Sequence, residues 1–353
     1  MALEKSILNN DIISNILNKE YGIIVDGIRK IDRGSANIYE LFSATNHYVL
    51  KEFQSKIGFD RVNIEYLICK KLEGIVPVPE YVLTLNGKIY TVFDKKILIV
   101  QKFIDGKVKN FNSSNKYDII KSVCIYGKII QELKEYKKTL PLFKKHQMSK
   151  KQCIEDIRNI DKLIKSTNDK NVIDSLLHKK SILYRMKNLD FSWQKKITYR
   201  KSHGDFTISQ FIYNKNNEIV GIIDWVSARK IPIARELIRN YFFMAKEIKK
   251  QKIDIEFFVK YIKEFFKYEE LNFYDLKYMA LLYLIELSRS TYGYEQYIKT
   301  GNQKLLDYGD ELYNQCICLE NNLDCITNAL INLYKERIWY YELFWKMSIL
   351  RWN

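Results

Sequence analysis

The sequence predicts an α+β chain of two lobes: a small antiparallel sheet with one helix, followed by a larger and mainly helical region. Three observations carry this. Short β-branched and aromatic runs crowd residues 22–103, long apolar stretches of helical period dominate beyond Gly106, and a single strand-like interruption returns at 211–223. With 353 residues, 47% of them hydrophobic and 14% aromatic, the chain can bury one large core or two.

Taken in order, strands are expected at 22–32, 37–45, 47–53, 81–85, 89–93 and 97–103, with Asn86-Gly87 as a hairpin turn. The one helix among them is 59–72, where Val62, Ile64, Tyr66, Leu67 and Leu72 loosely follow a 3.6-residue period beside Glu65. A boundary near 104–106 divides the chain into a smaller lobe, residues 1–105, and a larger one, residues 106–353. Helices then follow at 117–133, across 149–186 with a break at Ser166-Thr167-Asn168-Asp169, and at 254–268. In the last of these, Phe257, Phe258, Tyr261, Ile262, Phe265 and Phe266 recur at core spacing and are assigned no cofactor role. Glu269-Glu270 is read as helical, and the aromatic run 339–347 as a docked terminal helix.

Composition excludes several classes. No run of about 18 uninterrupted apolar residues occurs, and Met-Ala-Leu-Glu-Lys leads into a polar segment, so no membrane partner and a cytoplasmic location are expected. The six cysteines lack paired Cys-x-x-Cys spacing and a neighbouring histidine, which predicts free thiols. The net charge of +16 is spread over nearly the whole chain and accompanies no nucleic-acid module, so no nucleic-acid partner is expected.

The chemistry concentrates in Ser202-His203-Gly204-Asp205-Phe206-Thr207-Ile208-Ser209-Gln210, the hairpin that follows, and Ile222-Ile223-Asp224-Trp225. Phosphoryl transfer needs a carboxylate to orient and deprotonate the acceptor hydroxyl, and further oxygens to hold Mg²⁺ on the nucleotide phosphates. Asp205 fits the first role and Asp224 the second, the hairpin returning the chain so that both face one cleft. Upstream, Lys51 lies on the strand 47–53 with Glu65 as its expected partner. The loop Asp32-Arg33-Gly34-Ser35-Ala36-Asn37 offers backbone N–H groups to phosphates.

At these residues the sequence resembles the aminoglycoside phosphotransferase and choline kinase superfamily, whose pattern is His-Gly-Asp, four residues, Asn, and a short hairpin ending in Ile-Asp-Trp or Ile-Asp-Phe. The resemblance extends over most of residues 20–300. It implies a bilobal protein-kinase-like fold and Mg²⁺-dependent transfer of the γ-phosphate of ATP or GTP to a small hydroxylated acceptor. By the same resemblance, Asp205 is the base and His203 braces its loop. Lys51, with Glu65, holds nucleotide phosphates under Gly34, Ser35 and Asn37; Gln101 and Phe103 form the hinge that receives a purine; Asp224 and Gln210 hold the metal. Gln210 departs from the pattern, its extra methylene moving the amide oxygen by about 1.5 Å. Glu236, in Arg235-Glu236-Leu237, takes the place of an acidic residue that anchors the catalytic segment.

The superfamily phosphorylates antibiotics, choline, homoserine and sugars, so the motif does not choose an acceptor. Asp307, Asp310, Glu311, Glu286 and Glu295 are the acidic residues available to a cationic one, against the overall field of a +16 protein. A monomer or weak dimer is expected. The competing reading is a pseudokinase or assembly protein of the spore-coat kinase-like type, with Gln210 as decayed chemistry; retention of Asp205, Asp224 and Lys51 argues for an enzyme. No Ala-Pro-Glu segment follows Asp224, which favours a small acceptor over a protein.

Overall fold

The computed structural model describes residues 4–31, 36–143 and 148–350, with side chains up to Arg337. The chain divides into two compact units, the smaller made of Met1–Lys109, Glu135–Lys138 and Ser209–Ala228, the larger of Asn110–Lys134, Thr139–Ile208 and Arg229–Asn353.

The smaller unit opens with a helix besides the one expected. In α1 (Asn10–Ile16), Asn9 caps the N-terminus by accepting from Ile12 N at 2.8 Å, and a π-helical turn, Leu17–Tyr21, carries the helix on to Gly22. Gly22 ends it with φ +66, a conformation glycine takes without steric cost. The first strand therefore begins only at β1 (Gly27–Ile31), and β2 (Asn37–Phe42), β3 (His47–Glu52), α2 (Phe59–Leu72), β4 (Tyr81–Val82), β5 (Thr91–Phe93) and β6 (Lys96–Lys102) follow. The strands form one antiparallel sheet of order β1-β2-β3-β6-β4, with β5 also on β6. Asn86-Gly87 does turn the chain, Gly87 N donating to Thr84 O at 2.8 Å, but β4 and β5 on either side of it pair with β6 and not with each other.

Register decides which side chains share a face. Lys51 lies opposite Ile38 and Ile99, and Val49 opposite Glu40 and Gln101, so all six point to one side. Tyr39, Leu41, Leu50, Leu98 and Val100 point to the other, where Ile13 and Leu17 of the N-terminal helical segment cover them. A second sheet, order β10-β9-β7, joins β7 (Lys107–Val108) to the hairpin β9 (Phe211–Tyr213) and β10 (Ile219–Ile222). This pairing is what holds the hairpin in the smaller unit.

The larger unit contains α3 (Lys116–Lys134), α4 (Lys150–Lys165), α5 (Lys170–Met186), α6 (Ile233–Met244), α7 (Ile255–Phe265), α8 (Phe273–Arg289), α9 (Tyr292–Thr300), α10 (Gln303–Asn321) and α11 (Leu323–Leu350). A two-stranded ladder pairs β8 (Tyr199–Ser202) with β11 (Arg229–Pro232). Ser149 and Asp169 cap the N-termini of α4 and α5, and α5 starts at the break expected there. In α6 every residue except Arg239 is buried, and the aromatic stripe of α7 is core. Glu269-Glu270 is not helical: it lies in the link between α7 and α8, where Asn272 and Asp275 form a capping box that starts α8. Residues 339–347 fall in α11, and the docking expected of their side chains lies outside the described residues. All six cysteines are free thiols, and among the described residues no helix is long and apolar enough to cross a membrane.

Candidate active site

In the smaller unit, strand register aims Lys51 away from the α1 face, and α2 brings Glu65 to meet it. Lys51 Nζ lies 3.5 Å from Glu65 Oε1 and 3.1 Å from Asp224 Oδ1. Burial disfavours the ammonium, but the two carboxylates hold the Lys51 pKa above that of an ordinary lysine. Burial pushes the Glu65 carboxyl up, Lys51 opposes this, and the Asp224 charge adds to the rise. Two carboxylates thus share one buried ammonium. The surplus negative charge, on hard oxygen donors, suits a divalent cation beside Asp224. Among the described residues no group of three or more His, Cys, Asp or Glu side chains gathers around a point. Magnesium needs none, because it takes one or two carboxylates and completes its shell from phosphates and water.

The backbone at Asp224 is held in an unusual conformation, φ +67 and ψ +44. Its surroundings impose this. Trp225 is fully buried and donates Nε1–H to Ile222 O at 2.7 Å, closing the turn that follows β10. Arg61, one helical turn before Glu65 on α2, donates to Ala228 O at 3.1 Å and also to Val226 O. One face of α2 therefore braces both the lysine and the loop that presents Asp224. Gln210 stands beside that loop through its main chain, accepting from Ile223 N at 3.0 Å.

In the larger unit, the His-Gly-Asp turn follows β8 directly. Gly204 adopts φ +82, which a side chain would resist. His203 is fully buried, and its Nδ1 accepts from Asp205 N at 3.3 Å. Glu236, on α6, ties both arms of the turn: Oε1 accepts from Phe206 N at 3.2 Å, and Oε2 from Tyr126 OH at 3.0 Å and from Ser202 Oγ. Asp205 itself remains partly exposed, and Arg239 of α6 pairs with it, Nη1 to Oδ1, at 2.6 Å.

Other residues singled out from the sequence fall less uniformly. Gln101 shares the Lys51 face, and its buried Nε2 has no hydrogen-bond partner among the described residues. Phe103 donates its N–H to His47 O at 2.9 Å and stacks on the His47 ring, centroids 3.7 Å apart. Asn37 does not join them. It pairs with Glu52 on the opposite face of the sheet, and its amide donates to Glu52 Oε2 at 2.7 Å and to Glu4 O at 3.0 Å. Gly34 and Ser35 lie outside the described residues. Arg61 and Arg239 were not anticipated: in a chain with 58 Lys and Arg, one arginine on a helix carries no signal beyond its spacing, four residues from Glu65 in one case and four from Arg235 in the other.

No known family's sequence profile and no curated protein matches the chain. Solved structures do. It is similar to spectinomycin phosphotransferase APH(9)-Ia in complex with ADP and spectinomycin, at 16% identity and a TM-score of 0.62, over 92% of this chain and 99% of that one. This chain has the fold of the aminoglycoside phosphotransferases. An amicoumacin kinase in complex with AMP-PNP, Ca²⁺ and Ami shares that fold at 13% identity and a TM-score of 0.59, over 88% and 93% of the two chains. So does a microcompartment-associated aminopropanol kinase, at 10% identity and a TM-score of 0.62, over 90% and 99%. In this phosphotransferase fold the antiparallel sheet belongs to the smaller unit and the helices mainly to the larger, as expected for a bilobal α+β chain.

Proposed function

We propose that the chain is a small-molecule O-phosphotransferase, moving the γ-phosphoryl group of ATP or GTP to an alcohol. The observation that carries this is the cluster of buried Lys51 and Glu65 with half-buried Asp224, in a chain with the aminoglycoside phosphotransferase fold. Taking Lys51 and Glu65 out of water beside the half-buried Asp224 costs several kcal/mol per buried ion before their mutual attraction is counted. A site that binds polyphosphate and a cation uses that arrangement; a packing role does not need it.

In this reading Lys51 binds phosphate oxygens, held in place by Glu65. Asp224 and Gln210 hold Mg²⁺, which when bound neutralises phosphate charge. Asp205 orients the acceptor hydroxyl and takes its proton, on a turn fixed by His203 and Glu236. Gln101 and Phe103 border the base.

Thermal unfolding with ATP or GTP, with and without Mg²⁺, tests the reading, because a ligand at a hundred times its Kd stabilises by about 2.7 kcal/mol. The native protein should show a metal-dependent shift that Asp224→Ala loses. Asp205→Asn should keep the shift while losing transfer by about 10²- to 10⁴-fold. No shift with either nucleotide would favour a non-catalytic assembly role.

A further inference from the structure

Asp205, the base of the phosphotransferase reading on which this inference rests, has a fixed cation at its side. The Arg239 side chain is 12% exposed and lies over the Phe243 ring, 4.8 Å from its centroid. Burial disfavours its charge, but Asp205, with Tyr283, Glu286 and Tyr308 adding to it, outweighs burial and holds its pKa above that of an ordinary arginine. Nη1 is buried and, although ion-paired with Asp205 Oδ1 at 2.6 Å, has no hydrogen bond with any described residue. One turn earlier on α6, Arg235 grips Glu286 through Nε at 2.6 Å and through Nη2, and its Nη1 is also buried without a hydrogen bond among the described residues. Tyr283 lies within electrostatic range of both arginines and of Glu286.

The charges here balance, two arginines against Asp205 and Glu286, and leave no acidic surplus to gather a polycation. Of the acidic residues named from the sequence, Glu269 is engaged with Lys134 and Arg200, Glu295 with Lys299, Asp307 with Gln303 and Asp310 with the Tyr294 hydroxyl, while Glu311 keeps a buried Oε1 without a hydrogen bond among the described residues. Any hydroxyl close enough to give Asp205 its proton, at about 2.8 Å, also stands within about 7 Å of Arg239 Nη1. An ammonium on such an acceptor meets a guanidinium; an oxyanion finds buried donors already in place.

We propose that the acceptor is a hydroxylated anion whose carboxylate or phosphate group docks on Arg239, and that polycations of the aminoglycoside kind are excluded by the same side chain. An oxyanion on Nη1 competes with Asp205 for the guanidinium and loosens the ion pair, which leaves the carboxylate free to act. The acceptor oxygen then bonds to the γ-phosphorus as the bond to the β–γ bridging oxygen breaks. The electron pair leaves with the nucleoside diphosphate, and the hydroxyl proton passes to Asp205.

The test uses the full chain, saturated with AMP-PNP and Mg²⁺, and reads melting shifts on adding glycerate, glycerol 3-phosphate, glycerol, ethanolamine or kanamycin. At least one of the two anions should stabilise the protein, the larger response telling carboxylate from phosphate, while the neutral and cationic probes do not. Arg239→Met should need at least about tenfold more of that anion, as loss of a charge-assisted contact implies. Asp205→Asn, which releases Arg239 from its partner, should bind the anion more tightly than the native protein; a merely structural arginine gives no such gain. The proposal is overturned if neither anion acts, if kanamycin or ethanolamine stabilises as strongly, or if Arg239→Met responds like the native chain. In each of those cases a persisting shift with AMP-PNP and Mg²⁺ leaves the phosphotransferase reading standing. Absence of that nucleotide shift in the native protein removes both.

Discussion

Replacing Lys51 by methionine removes the only ammonium from between two carboxylates while keeping a flexible side chain of similar length. Glu65 is 1% exposed, so its charge cannot turn to water for compensation. Breaking a buried pair by deleting one partner costs about 3–5 kcal/mol. At about 2–4 °C per kcal/mol, the melting temperature should fall by about 6–20 °C near pH 8. The sign of the pH dependence follows from Glu65. Burial already raises its pKa, and Lys51 is what restrains the rise, so in the variant it climbs further. A carboxyl whose folded pKa exceeds its unfolded value of about 4.3 gives stability that is fully present below the unfolded value and lost as pH rises through the folded one. The deficit of Lys51→Met should therefore narrow as the solution is brought from about pH 8 to about pH 5. Circular-dichroism melts of both proteins across that range, at constant ionic strength, measure it. A deficit that is independent of pH, or below about 1 kcal/mol throughout, would refute the reasoning, since it would mean that the three side chains behave as solvated surface charges.

Two further substitutions probe the same unit. Arg61→Ala removes the donors to the Val226 and Ala228 carbonyls and should raise the Mg²⁺ concentration needed for half of the nucleotide-dependent melting shift, with the apo melting temperature changed by a few degrees at most; an unaltered titration would show that Trp225 alone sets the loop. Gln210→Asn should retain or raise turnover in a coupled diphosphate-release assay, because the shorter amide still offers a carbonyl oxygen; complete inactivation would show that the longer arm is required.

What the sequence made legible was mostly what is local. The 3.6-residue period that marks 59–72 is set by burial of one helix face, and the run from Ser202 to Trp225 keeps its chemistry in a short stretch whose turn, hairpin and second turn follow from neighbouring residues. What escaped depends on partners far along the chain. Asn37 looked like a loop residue near the phosphates, yet its pairing with Glu52 sends it to the far face of the sheet, and register of that kind is set by loop length and cross-strand packing that no single position reveals. The α1 helix carries a signal that is visible afterwards, Asn9 as cap and Ile12, Ile13, Ile16 and Leu17 at helical spacing, but seven residues are too few for periodicity to outweigh a polar context.

The arginines show the same limit in electrostatic form. A lysine-rich chain hides functional cations among solvated ones, and only burial separates them: Arg239 and Arg235 are largely enclosed, each with a carboxylate partner and an Nη1 left without a hydrogen bond among the described residues. A buried guanidinium keeps its proton, and its planar fork presents donors to an incoming oxyanion as the pair with Asp205 loosens. Lysine at 239 would supply a compact ammonium without the planar fork of donors that fits a carboxylate or phosphate. In the reading proposed above, the acceptor preference of this chain is decided by the cation beside Asp205 more than by the acidic residues scattered over the helices, among which Glu286 and Glu295 are already paired with Arg235 and Lys299.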